Sequence, residues 1–399
     1  MELESLKERS ARKTAQVEGG LIRSLMDDIE WNWRLTGIKG ARGVGKTTLM
    51  LQRLKQLGLS GDEALYASCD HLWFSENSLV GLAEVFTKTG GKYLFLDEVH
   101  KYPNWSQELK NIYDDFPELN VVFTGSSLLE ILNARADLSR RAISYNMQGL
   151  SLREYIIMET GQHVRALSLE EILSNHVELA KEITEKIRPL RYFPEYLLRG
   201  YYPFYRESET LYYQRIEEVL NLMLYIELPL LRKIEVSYVY KMKQLLQIIA
   251  DSAPFVPNVS KLSERIGVNR NTFISYLYYL HEAGITHNLF KDVNGITRLQ
   301  KPDKIYLENP NLHYALALSI PNTGHVRECF FLNQVIYKHQ VEYIDAGDFE
   351  VNGQQRFELG GKGKTQAQLQ NSKNSWVVAD NLEVGIGNKI PLWLFGFLY

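Results

Sequence analysis

The sequence predicts an α/β fold, a parallel sheet with helices on both faces, followed by a winged-helix region and a C-terminal α+β module. Three observations predict it. The stretch Gly40-Ala41-Arg42-Gly43-Val44-Gly45-Lys46-Thr47 matches G-x-x-x-x-G-K-[ST] at every fixed position. The apolar run Lys92-Tyr93-Leu94-Phe95-Leu96 ends in Asp97-Glu98, as a strand buried on both faces would. Beyond residue 240, two short amphipathic helices and two strand-like segments follow one another in winged-helix order.

The glycine-rich loop carries the clearest chemistry. Backbone N–H groups that wrap phosphates need conformations and close approaches that a Cβ would block. Trp33-Arg34-Leu35-Thr36-Gly37-Ile38 reads as the strand entering the loop, and Thr47–Leu54 as the helix leaving it, its positive end toward the phosphates. This is the context of a P-loop NTPase. Residues Gly40 through Thr48 would cradle ATP, with Lys46 on the β- and γ-phosphates and the Thr47 hydroxyl on Mg²⁺.

A chain of 399 residues exceeds one compact core, so two or three domains are expected. With 45% apolar and 12% aromatic residues it is globular, and a net charge of −3 gives no whole-chain signal for nucleic acid. Cys69 and Cys329 fit neither a metal spacing nor a disulfide framework. The N-terminus is charged, without the apolar core of a signal peptide, and no apolar run approaches the roughly 20 residues of a membrane span. Ile390–Tyr399 reads as a final buried strand. A cytoplasmic protein without a membrane span is expected.

Taken in order, residues 1–32 read as helix with a stripe at Leu21, Leu25 and Ile29. Ala64–Ser68 is a short strand, and Leu79–Thr87 a helix stopped by Gly90-Gly91. Asp97 then falls at the carboxyl end of a central strand, where open α/β sheets bind ligands. There it can hold Mg²⁺, and Glu98 beside it is placed to polarise the attacking water. Asn120–Ser127 is a further strand ending in small polar residues. Ser126 and Thr124 are the candidates to sense the γ-phosphate, an ordinary turn being the alternative. Arg135, Arg140 and Arg141 follow; a guanidinium here could stabilise the transferring phosphoryl group, in cis or from a neighbouring subunit, or simply form a solvated face.

Residues 33–160 resemble the P-loop domain of the AAA-like prokaryotic ATPases that carry a C-terminal domain of unknown function. The resemblance rests on Gly40–Thr48, Leu94–Trp105, Val122–Ser127, Leu138-Ser139-Arg140-Arg141 and Leu150–Tyr155. Many relatives read Leu-Ser-Gly-Arg at the fourth stretch, so Arg140 replaces a glycine and Arg141 is the matching arginine. The resemblance implies ATP hydrolysis and leaves the biological task open.

The expected domains are 1–160 (ATPase), 161–240 (helical extension), 241–310 (winged helix) and 311–399. In the third, Ser260–Gly267 and Arg270–Ala283 are the two helices, and Thr286–Phe290, an Asn294-Gly295 turn and Lys304–Leu307 make the hairpin. Arg270, Asn271, Thr272 and Ser275 would lead into a major groove, although such domains serve protein partners as readily. The last domain is similar to the restriction-endonuclease-like fold, with Glu328, Asp348 and Glu358 matching its carboxylates. Gly360 stands where that fold carries lysine, and Lys362 matches only across a bulge. A Mg²⁺-dependent ATPase that moves its C-terminal domains is therefore expected. The alternatives are a slow nucleotide switch recruiting DNA or a partner protein, and an ATP-regulated nuclease. An oligomer is compatible with either.

Overall fold

A computed structural model describes residues 3–17, 19–125, 138, 140–232, 234–252, 255–291, 301–364 and 374–399. It divides into two compact units, Met1–Gly149 and Leu150–Tyr399.

The first unit is a five-stranded sheet in the order β2-β3-β4-β1-β5. The strands are β1 (Leu35–Lys39), β2 (Ala64–Ser68), β3 (Tyr93–Asp97), β4 (Asn120–Gly125) and β5 (Ile143–Asn146). Every neighbouring pair is parallel. The inner strands are apolar on both faces, with Leu35, Ile38, Leu94, Phe95, Leu96, Val121 and Phe123 all buried. Such strands need cover on both sides, which helices supply. The helix expected over 1–32 is two pieces, α1 (Leu3–Gln16) and α2 (Leu25–Asp28), separated by a stretch containing Gly19-Gly20. Helix α1 packs along the edge strand β2, and the Tyr66 N–H donates to the buried Ser10 hydroxyl at 3.0 Å. That bond satisfies a sheet-edge donor that would otherwise invite another strand. Helices α3 (Lys46–Leu57), α4 (Leu79–Lys88) and α5 (Trp105–Asp115) complete the layers.

The second unit begins ten residues before the expected boundary at 160. Ser151 and Glu154 form a capping box that starts the helix Leu152–Thr160 at this point. Tyr155 of that helix packs edge-on against Tyr196, at 5.7 Å between ring centres. A buried polar network runs through residues of all three subdivisions expected in this region. Glu308 accepts from Tyr201 (2.6 Å), Asn309 (2.6 Å) and Asn333 (3.1 Å), and burial pushes its carboxyl up to about 7. Asn311 accepts from Tyr212 and the Tyr201 N–H and donates to the carbonyls of Tyr196 and Leu197. The tyrosines of the "extension" are therefore core.

Val259–Ile266 and Arg270–Glu282 are helices, capped by Asn258 and Asn269 and ended at Gly267 and Gly284, both left-handed. Phe273, Tyr276, Leu277 and Leu280 form the buried face. β6 (Thr286–Leu289) pairs antiparallel with β7 (Lys304–Leu307), and Phe255 bridges to Ile305. The Asn294-Gly295 turn lies outside the described residues. The last part is a mixed sheet in the order β12-β11-β10-β9-β8: β8 (Val341–Tyr343), β9 (Phe349–Val351), β10 (Gln355–Gly360), β11 (Ser375–Ala379) and β12 (Lys389–Pro391). The helix Thr323–Val335 packs on β10. Only Ile390 and Pro391 of the expected final strand are extended. Leu392–Phe397 instead forms buried 3₁₀ turns.

Candidate functional site

The loop between β1 and α3 is shaped by its glycines. Gly43 and Gly45 have φ of 81° and 102°, the left-handed region that other residues enter only at a cost. A Cβ on Gly40 would sit 2.2 Å from the Met147 carbonyl oxygen, so the loop's first residue must be glycine for a second reason. Gly45 is also the N-cap of α3 and has no side chain to cap with. The first N–H groups of a 12-residue helix thus face the loop rather than a capping oxygen. Lys46 is buried and its ammonium donates to the carbonyls of Gly40 (2.8 Å) and Ala41 (2.7 Å).

Asp97, at the end of β3, is 3% exposed and its carboxylate accepts three hydroxyls. Thr47 and Tyr66 each donate to Oδ2 at 2.7 Å, and Thr124 donates to Oδ1. Burial, then the Asp97 charge, pushes the Tyr66 phenol far above its ordinary range. The Glu98 N–H donates to Thr124 Oγ1 at 3.0 Å, which links the next residue to the same cluster. Glu98 itself adopts φ 52°, a left-handed conformation that costs a non-glycine residue about 1 kcal/mol. Burial raises its carboxyl, the nearby Arg42 opposes, and Asp97 adds to the rise. Arg42 Nη1 lies 3.7 Å from Glu98 Oε1, and Nη2 3.5 Å from His100 Nε2. Burial, reinforced by Arg42, holds the His100 imidazole neutral, down to about 3.

The structure therefore brings together Gly40–Thr48, Asp97, Glu98 and Thr124. Ser126 and Arg135 lie outside the described residues. Arg141 is not in this cluster. It precedes β5, its carbonyl accepts from Trp33 Nε1, and its guanidinium is held by Asp114 at 2.9 and 3.0 Å. That is the amino end of the sheet, a strand length of about 16 Å from the loop. Arg141 is therefore not among the residues gathered at the loop. Arg140 has φ 68°, a left-handed conformation that favours glycine.

The residues present fit a nucleotide with Mg²⁺. The Thr47 hydroxyl spends its proton on Asp97, leaving oxygen lone pairs for a cation, and the loop offers N–H groups and an ammonium to phosphate. Sequence reasoning missed Tyr66 and Arg23. Arg23 is buried and donates to the Val44 carbonyl (2.7 Å) and to those of Gln148 and Gly149 (2.7 Å each). No motif marks it, because its partners lie 21 to 126 residues away.

Two family profiles match, one over the sheet and one within the second unit. Residues 32–156 match one described as an AAA domain, and residues 190–323 match one described as a domain of unknown function. The AAA-domain match spans all five strands of the parallel sheet and the phosphate loop between β1 and α3. An uncharacterized protein of Methanocaldococcus jannaschii is 25% identical over 279 residues, covering 67% of this chain and 59% of that protein. The match thus spans about three fifths of that relative's length. Among solved structures, a Walker-type ATPase of Pyrococcus abyssi aligns with 11% identity and a TM-score of 0.40, over 78% of this chain and 94% of that one. The ORC1 protein of Aeropyrum pernix, in complex with DNA, aligns with 15% identity and a TM-score of 0.31, over 78% and 91%.

The C-terminal carboxylates are engaged differently. Tyr306 donates to Glu328 at 2.7 Å, and the Leu359 N–H donates to Asp348 at 2.7 Å. Lys364 Nζ lies 2.7 Å from Glu358 Oε1, and its stem would collide with a Cβ on Gly360. The lysine that reaches Glu358 is therefore Lys364, carried back by the Gly360-Gly361 break, and not Lys362. Among the described residues no three His, Cys, Asp or Glu side chains are grouped to hold a metal ion.

Arg23→Ala should lower stability by roughly 2–5 kcal/mol, because three buried carbonyls lose a charged donor. Denaturant unfolding checks this. Arg23→Lys should recover only part of the loss, since one ammonium spans the three acceptors poorly; an unchanged midpoint for Arg23→Ala would refute the clamp.

Proposed function

We propose that the chain is a Mg²⁺-dependent ATPase whose nucleotide state is read out through its second unit. The observation that carries this is the placement of one buried carboxylate, Asp97, against hydroxyls from both the phosphate loop and β4. Mg²⁺ held by Thr47 and Asp97 would neutralise charge on the β- and γ-phosphate oxygens. Lys46 would leave the loop carbonyls for those oxygens, and the loop N–H groups would hold the phosphates in place. Glu98 would accept a proton from the attacking water. Its backbone bond to Thr124 keeps it level with the metal-side carboxylate. Sensing of the γ-phosphate falls to Thr124 or Ser126. An arginine such as Arg141 could contribute only from another copy of the chain.

The winged-helix reading of residues 241–310 makes the second unit the partner-binding part, for DNA or for a protein. Arg270 and Asn271 are exposed at the start of the second helix, as a reading helix would need, but they bring one positive charge. The alternative of a slow switch shares the same nucleotide site and differs only in turnover. Nuclease chemistry is assigned to the C-terminal sheet least readily. Glu328 already accepts from Tyr306, Asp348 accepts from a backbone N–H, and Glu358 is ion-paired with Lys364, which supports a lapsed site.

Lys46→Ala should abolish ATP binding by calorimetry, because the phosphate charge loses its ammonium. Glu98→Gln should keep ATP bound and slow steady-state hydrolysis by a factor on the order of 10²–10⁴. Parental turnover in Glu98→Gln, beside an inactive Lys46→Ala, would move the base elsewhere.

A plasmid-nicking assay with Mg²⁺ or Mn²⁺ should show no cleavage by the parent chain. Cleavage that disappears in Asp348→Ala would overturn the lapsed reading.

A further inference from the structure

Phosphoryl transfer gains from a guanidinium beside the transferring group, and the topology removes Arg141 from its own site. One arginine remains in the described cluster. Arg42 is the third residue of the phosphate loop itself, so the backbone that would wrap the phosphates also carries this side chain. Its guanidinium stands between Glu98 and His100, with side chains 17% exposed for Arg42 and 28% for Glu98. The 3.7 Å separation from Glu98 is an ion pair longer than a hydrogen bond. A loose pair of this kind can exchange partners at modest cost. A phosphoryl group bound above Lys46 would bring more negative charge than one carboxylate, and three oxygens that suit the planar fork of donors. His100, neutral and beside Arg42, does not repel it as a second cation would.

We propose that Arg42 supplies the site's guanidinium in cis, pairing with Glu98 in one arrangement and with the terminal phosphoryl group of a nucleoside triphosphate in the other. This rests on the ATPase reading above. The exchange couples two events. Engaging the γ-phosphate withdraws Arg42 from Glu98, and Glu98 is then left to orient water. The water oxygen bonds to the γ-phosphorus as the bond to the β–γ bridging oxygen breaks. The water's proton passes to Glu98, and the products are the diphosphate and inorganic phosphate. A diphosphate has no γ-group to draw Arg42 over, so the same residue distinguishes substrate from product.

The experiment uses the full chain with Arg42→Ala and Arg42→Lys, with thermal melts to confirm folding. Affinities for ADP and for a non-hydrolysable ATP analogue, both with Mg²⁺, are measured by calorimetry beside steady-state kcat and KM. Arg42→Ala should lower kcat on the order of 10³-fold, the low end for an arginine at this position. It should weaken the triphosphate analogue about tenfold and leave ADP within about threefold, so the preference for triphosphate is lost. Arg42→Lys should recover part of that preference and little of kcat, because an ammonium lacks the planar fork. The proposal is overturned if Arg42→Ala keeps parental kcat while Glu98→Gln is slow. It is equally overturned if ADP and the triphosphate analogue weaken together, which would make Arg42 a loop-shaping residue. Should Glu98→Gln turn over at the parental rate, the base assignment fails instead. The comparison of triphosphate with diphosphate in Arg42→Ala then decides the role of Arg42 by itself.

Discussion

A carboxylate taken out of water is tolerated only where other groups replace the water it loses. Asp97 meets that condition with three hydroxyls drawn from three different elements: Thr47 at the start of α3, Tyr66 on β2 and Thr124 on β4. Its neighbours in the sheet, β2 and β4, are the strands that flank β3. The parallel register sets Leu96 beside Phe123, which leaves the next residues, Asp97 and Thr124, at the same level. The sheet's pairing thus determines the site's geometry, and the loop is secured to it through Thr47. Arg23 secures the other side of the loop by taking the Val44 carbonyl together with those of Gln148 and Gly149.

The second unit uses buried polarity for a different end. Glu308 accepts three neutral donors and its carboxyl is shifted toward neutrality by burial, so the network joins helices without an ion pair. Networks of this kind restrict how elements can pack, because an alternative arrangement would strand several polar groups at once. Residues from 196 to 333 take part, so the network links positions far apart in the sequence of this unit.

What could be read from the sequence was local. The phosphate loop is legible because its demands, glycine conformations and a lysine at fixed spacing, fall within eight consecutive residues. Asp97 and Glu98 are legible because a doubly buried strand must be apolar up to its end. The two helices over 259–282 are legible in their apolar face and in the glycines that end them. Arg23 and Tyr66 were invisible because their partners are distant in sequence, and no pattern of residue types announces such a contact. Arg42 is legible as one of the loop residues around the phosphates, while its pairing with Glu98 depends on where β3 lies. The stretch that contains Arg141 carries no information about which end of the sheet it occupies. Ser151 with Glu154 is a local helix start at the beginning of the second unit.

Everything proposed for this site depends on Asp97 forming its metal side. The direct measurement is ATP-analogue affinity of the full chain with and without Mg²⁺, for the parent and for Asp97→Asn, by calorimetry. Mg²⁺ should strengthen binding to the parent about tenfold or more, and Asp97→Asn should lose this gain while still binding in its absence. An equal Mg²⁺ effect in both proteins would rule out Asp97 as the metal side.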